Sequence, residues 1–211
     1  MAIGMLLSLC VNADEWGVEI HGIKYDLKSA SKTAKVANNY GYTGVADIPS
    51  SVEYNGIEYS VIEIGSSAFA DANVTGLTSV IIPNSVNTIG YAAFDDCNSL
   101  WSVNITNLHA WCKISFENHR ANPLTGPRNQ SQSAARLYLN GSEVKELVIP
   151  NNVTSIKPYA FTECQGLRAV TIPNSVTSIE TSAFYNCDNL TTVNIESNGT
   201  TIGNYVFSYC I

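Results

Sequence analysis

Charge is what this chain has least of. Asp, Glu, Lys and Arg make up 14% of its 211 residues, against about a quarter in an ordinary soluble domain. The basic side is the thinner one, with 11 Lys and Arg against 18 Asp and Glu and a formal net charge of −7. A phosphate backbone is repelled by such a chain, which disfavours nucleic acid as its partner. No run of Lys or Arg is present to hold an anionic membrane surface, and no apolar run is long enough for a transmembrane span. Catalytic signatures are missing too. No Gly-x-Ser-x-Gly elbow, His-Glu-x-x-His pair or phosphate-cradling Gly-rich loop occurs. Acidic residues stand singly, so no carboxylate pair offers itself for glycosidase work. His109, Cys112 and His119 are one ligand short of structural zinc and have no second pair after them. No catalytic residue, no metal and no cofactor is expected.

What is present is a period. Ile156, Ile179 and Ile202 are 23 residues apart, and so are Phe161, Phe184 and Phe207, and Cys164, Cys187 and Cys210. An exact repeat carried by residues of buried type is the mark of stacked supersecondary units. Each unit reads as Ile, then Ala-Phe-x-x-Cys, then Leu-x-x-Val-x-Ile. The last segment alternates, so Val170 and Ile172 point inward while Ala169 and Thr171 face out. A following Pro (Pro83, Pro150, Pro173) ends the ladder, because Pro has no N–H to donate. The Ala-Phe-x-x-Cys segment suits one short helical turn whose Phe plugs the core. Such a stack presents a long surface rather than a deep pocket, so binding is the default function.

Two copies precede these. Val61-Ile62-Glu63-Ile64 to Ile82-Pro83 carries two extra residues around Asn73-Val74, with Ala72 in the Cys position. Val86 to Ile105 is regular. From Phe94 to Phe161 is 67 residues, close to three periods, yet the middle lacks the Ala-Phe-Cys core. Residues 109–143 read as an irregular repeat plus a hairpin turning at Asn140-Gly141, with Gln130 to Ala135 as a flexible tip. Val18 to Ser60 is unlike the repeats: it alternates around a turn at His21-Gly22, and offers a second strand at Thr33 to Ala37. It is assigned as an N-terminal β cap over residues 14–60, because a solenoid must cover its first rung.

Residues 1–13 read as a signal peptide, apolar from Ile3 to Val11 and closing on Val11-Asn12-Ala13. The absence of Lys or Arg near the start leaves an upstream initiator or a weak signal open. A lipobox at Cys10 fits poorly, because Leu9 stands where a small residue is wanted. A first apolar strand is the remaining alternative. The segment is too short to span a bilayer. At the other end the chain stops at Tyr209-Cys210-Ile211, before the strand every other repeat supplies. A fragment is expected, an exposed last rung being the alternative. Without Cys10, five cysteines remain. An odd number at repeat positions predicts buried thiols, although neighbouring rungs could come within disulfide reach.

The run Ile172-Pro173-Asn174-Ser175-Val176-Thr177-Ser178-Ile179 with Ala183-Phe184-Tyr185-Asn186-Cys187, Leu190 and Val193 resembles the BspA-type leucine-rich repeat. Trp111-Cys112-Lys113-Ile114 and Leu137-Tyr138-Leu139-Asn140-Gly141 are similar to the variant repeat that interrupts such arrays. The likeness covers residues 18 to 211. It implies an α/β leucine-rich-repeat right-handed solenoid, strand-rich with short helical turns, over residues 61–211. It also implies a secreted or surface-anchored protein of host-associated microbes that adheres to extracellular-matrix proteins or other cells.

Two surfaces are candidates for binding. On the strand face the outward positions are Ser79 and Ile81, Ser102 and Asn104, Glu146 and Val148, Ala169 and Thr171, and Thr192 and Asn194. Short polar side chains in a row can bond a peptide or glycan at little entropic cost, or can form a merely soluble face. The irregular segment offers Trp101, His109, Trp111, Phe116, His119 and Arg120, the residue types of interface hot spots. Trp111 and Phe116 can instead fill the core where the Ala-Phe-Cys plug is missing. A protein partner is expected, with a glycan-binding accessory role or a presenting scaffold as alternatives. Asn-x-Ser/Thr triplets at Asn73, Asn104, Asn140, Asn152 and Asn198 are at chance frequency in so Asn-rich a chain.

Overall fold

The computed structural model describes residues 13–70, 76–125 and 134–210. The signal-peptide segment except for Ala13, the inserted turn at Ala72 to Val74, the tip from Gln130 to Ser133, and Ile211 lie outside the described residues.

Each regular circuit of the chain lays down one long and one short strand, and within a row each strand pairs in parallel with its counterpart in the next circuit. Gly44–Asp47, Leu77–Ile81, Ser102–Ile105 and Arg136–Leu139 form one row of long strands, closed by the antiparallel Ser142–Glu143. Glu146–Val148, Ala169–Ile172 and Thr192–Ile195 form the next row, with Val170 beside Leu147 and Val193. The short strands follow the same rule. Thr88–Ile89 lies between the end of Ile57–Ile64 and Ser115–Phe116, and Ser178–Ile179 lies between Ser155–Ile156 and Thr201–Ile202. Paired residues such as Ser155, Ser178 and Thr201 are one period apart, so the spacing seen in the sequence is the register of the ladder.

Antiparallel strands come first. Glu15–Ile20, Ile23–Lys28 and Thr33–Val36 form a meander, and Thr33–Val36 then pairs in parallel with Ile57–Ile64, carrying the ladder into the first circuit. The tight turns at His21-Gly22, Asn55-Gly56 and Asn140-Gly141 have positive φ at both positions, as type I′ hairpins require.

Inside, the Phe rings stack. Centroids are 5.5 Å apart for Phe69 and Phe94, 5.1 Å for Phe161 and Phe184, and 5.5 Å for Phe184 and Phe207. The repeated cysteines are free thiols. Cys97, Cys187 and Cys210 donate to the carbonyls of Phe69, Phe161 and Phe184 one circuit back, at 3.1, 3.1 and 3.2 Å.

The plug segments are not helical turns, which corrects the expectation. Ser67, Tyr159, Ser182 and Tyr205 have positive φ, as do Glu163, Asn186 and Tyr209 four residues further along three of these plugs. Successive tight turns result. The cause lies in the neighbouring circuit: Phe69 N donates to Ala93 O at 2.8 Å, Phe161 N to Ala183 O at 2.8 Å, and Phe184 N to Val206 O at 3.0 Å. A backbone donor used between circuits is lost to the i−4 carbonyl of a helix. Among the described residues helix is confined to Leu108–Cys112 and a single 3-10 turn at His119–Ala121.

The irregular circuit solves the same accounting problem with side chains. Ala160 O has no Phe N–H below it. It accepts instead from the Trp111 indole Nε1 at 2.9 Å and from Asn122 Nδ2 at 3.1 Å. Trp111 is 1% exposed and packs edge-on against the buried Phe116, with ring centroids 5.4 Å apart. Both are core residues, and the ligand-anchor reading of Trp111 is withdrawn.

Candidate functional site

The long strands carry the first candidate surface on their outer side. Trp101 sits immediately before Ser102–Ile105, where its N–H donates to Thr78 O at 3.0 Å and its carbonyl accepts from Arg136 N at 2.9 Å. Backbone ties on both sides hold it at the mouth of the row, and the residue is 58% exposed. Its ring meets Tyr138 edge-on at 6.3 Å. In the second row the matching position is Arg168, whose N–H donates to Lys145 O at 2.7 Å. Arg168 is exposed. Beside it, Arg136 pairs with Glu143 at 3.4 Å and Lys145 with Glu143 at 3.3 Å. Trp, Tyr and Arg on rigid strands are what protein interfaces use as anchors.

The polar outward row is only partly available. Ser102 is buried and donates to Ser79 Oγ at 2.7 Å, and Asn104 Nδ2 covers both hydroxyls at 3.0 and 3.3 Å. Ser102 and Ser79 are therefore spent on each other, which removes Ser102 from the binding candidates. Asn104 is half-buried over them. Glu146, Thr192 and Asn194 are exposed and Thr171 is half-buried. Glu146 and Thr192 flank Ala169, while Thr171 lies between Val148 and Asn194.

His119 and Arg120 belong to a different surface, the edge formed by the plug turns. Arg120 is tied to Asp95 at 2.7 Å, and its carbonyl accepts from Phe94 N at 3.3 Å, as Ala93 accepts from Phe69 one circuit earlier. His119 is exposed and lines a cleft of about 200 Å³ with Tyr159, Thr162, Glu163, Ser182 and Tyr185. Two of these lining residues are joined directly, Thr162 Oγ1 donating to Ser182 O at 2.6 Å. Among the described residues no three His, Cys, Asp or Glu side chains converge to hold a metal ion. Burial pushes the Cys112 and Cys164 thiols up to about 12, so neither is a nucleophile at neutral pH.

Six copies of the BspA type leucine-rich repeat region match this chain, over residues 49–136 and 133–211. The chain belongs to the BspA-type leucine-rich-repeat family. No curated protein matches it. Among solved structures, the leucine-rich-repeat protein of T. pallidum is similar over 92% of this chain and 88% of its own length, with 23% identity and a TM-score of 0.52. That likeness shows the fold alone. A leucine-rich cell-surface protein of Faecalibacterium prausnitzii covers 86% of the chain at 23% identity and a TM-score of 0.49. The present chain spans 55% of that protein's length. A leucine-rich-repeat protein of Bacteroides capillosus covers 86% of the chain, and is itself covered over 99%, at 28% identity and a TM-score of 0.42.

In this BspA-type chain the residues that carry the family pattern are the buried ones, so the pattern points inward and away from any ligand. Sequence reasoning passed over Tyr138 and Arg168. Tyr138 had a signal, since Leu137 and Leu139 flank it in alternation and turn it outward. Arg168 stands where Trp101 stands one row earlier, directly after the Leu of its repeat. The edge tyrosines Tyr159 and Tyr185 gave none, because their side of the chain depends on the turn geometry that replaced the expected helix.

Proposed function

We propose that this is a non-catalytic recognition protein of the cell surface or extracellular space, binding host-matrix or other cell-surface proteins through the outer face of its long strands. Family membership supports the location. No helix among the described residues is long and apolar enough to cross a membrane. The single observation that carries the binding reading is Trp101, 58% exposed on a backbone tied to its neighbours on both sides. A large apolar ring so held costs little entropy to bury against a partner. Residues 14–60, with their antiparallel meander, serve as the cap of the first rung, and the repeats from residue 61 onward as the binding array.

Immobilised extracellular-matrix proteins titrated with the chain provide the test. Trp101→Ala and Tyr138→Ala each weaken binding by about 2 kcal/mol, or ~30-fold, with little change in melting temperature. Binding unchanged in both variants sinks this reading. A second reading, glycan recognition, is favoured by one feature, the cleft between Tyr159 and Tyr185, whose rings offer flat faces to a sugar. A glycan-array signal lost in Tyr185→Ala and kept in Trp101→Ala would select it.

A further inference from the structure

The first long strand, Gly44–Asp47, is an edge. Leu77–Ile81 pairs with one side of it, and among the described residues no strand pairs with the other. Gly44 N donates to Gly76 O and Ile48 N to Ile81 O, both at 3.2 Å. Alternation along a strand then turns the N–H and C=O groups of Val45 and Asp47 towards the open side. One of these groups is occupied, since the Tyr42 hydroxyl donates to Val45 O at 3.0 Å. The others form a short template for a further strand.

A cavity of about 320 Å³ lies along this side, between the edge and the His21-Gly22 turn. Ile20, Ile23, Tyr25, Tyr42 and Val52 give it an apolar wall, and Asp47 supplies a carboxylate at its rim. Asp47 is exposed, and makes no ion pair among the described residues.

We propose that Gly44–Asp47 is a strand-addition site for an extended basic peptide. Ala46 is buried while Val45 and Asp47 face outward. A peptide laid beside them alternates in the same way, sending one set of side chains against the apolar wall and the other out beside Asp47. A Lys or Arg in the outward set meets the carboxylate, and the net charge of −7 attracts a basic segment and repels an acidic one. Backbone hydrogen bonds supply affinity, the wall selects apolar residues in one phase, and Asp47 selects charge in the other. This site lies at the free edge of the same row, two strands from the one that carries Trp101, and stands whether or not the face around Trp101 binds a matrix protein.

The probe is a short capped peptide of alternating Lys and Val carrying a fluorophore, titrated by fluorescence anisotropy against the whole chain. A Glu-for-Lys peptide and two peptides N-methylated on alternate amides, one in each phase, are run beside it. The Lys peptide binds, the Glu peptide binds at least about tenfold more weakly, and one N-methylated peptide loses binding while the other keeps it. Asp47→Lys reverses the preference between Lys and Glu, and Trp101→Ala leaves it intact. Equal affinity for both charges, indifference to N-methylation in both phases, loss in Trp101→Ala, or no binding of any peptide overturns the proposal. The N-methylated pair leaves the protein untouched, so the proposal stays open to refutation even if Asp47→Lys fails to fold.

Discussion

Two of the three tryptophans show how one side-chain type takes opposite roles ten positions apart. Trp111 is enclosed and bonded to Ala160 O, whereas Trp101 stands in solvent with Tyr138. Trp111→Ala therefore destabilises the fold by about 3–5 kcal/mol, because it opens a cavity and removes a donor from a buried carbonyl. Thermal melting checks this. The variant, assayed below its own melting point, keeps whatever ligand affinity the parent has. A variant that lost binding with an unchanged melting temperature would return Trp111 to the surface. The sequence already showed that the irregular repeat lacked its Phe plug and that an aromatic could fill the gap. It named Trp111 and Phe116 for that role but left Trp111 between core and ligand anchor, because the choice depends on Ala160 presenting, 49 residues later, a carbonyl for the indole to meet.

At the scale of the element, strands were legible and the plugs were not. Leu-x-x-Val-x-Ile alternates, and alternation maps directly onto strand faces. Ala-Phe-x-x-Cys has helix-like spacing, but its Phe N–H bonds to the next circuit, information no local window contains. Close contact between circuits explains glycine as well. A Cβ at Gly90 would lie 2.5 Å from Ser66 N, while one at Gly199 would meet nothing nearer than Ser197 Oγ at 3.8 Å. Gly90→Ala accordingly costs about 1–3 kcal/mol by forcing the first two circuits apart, and Gly199→Ala is near neutral. Chemical denaturation of both variants tests this, and equal midpoints would contradict it. Ser102 shows the limit of reading faces by alternation. Its outward position was legible, but its burial follows from Ser79 in the neighbouring strand and Asn104 two residues on in its own strand lying within hydrogen-bond reach.

Across the whole molecule, stability is shared between neighbouring circuits. Phe184 is stacked between Phe161 and Phe207, whereas Phe207 has one stacking partner among the described residues and is half-buried. Val193 is 40% exposed where Val170, one rung earlier, is 1% exposed. Phe184→Ala therefore costs more than Phe207→Ala, by about 1–2 kcal/mol on the usual scale for core truncations. Hydrogen exchange is fastest in Thr192–Ile195 and Thr201–Ile202 and slowest in Ala169–Ile172. Uniform protection along the stack would mean that the circuits open as one body.

The sequence by itself determined the solenoid, its period and the register of its ladders, because a parallel stack needs each buried residue to recur at the interval that separates one circuit from the next. It also determined the shortage of basic charge, and with it the disfavoured nucleic-acid partner. Tertiary structure decided which outward residues remain in solvent, what became of the plugs, and that Gly44–Asp47 has an open side. Those depend on which distant groups meet across circuits, and a repeat in buried residues says nothing about the atoms facing away from the core.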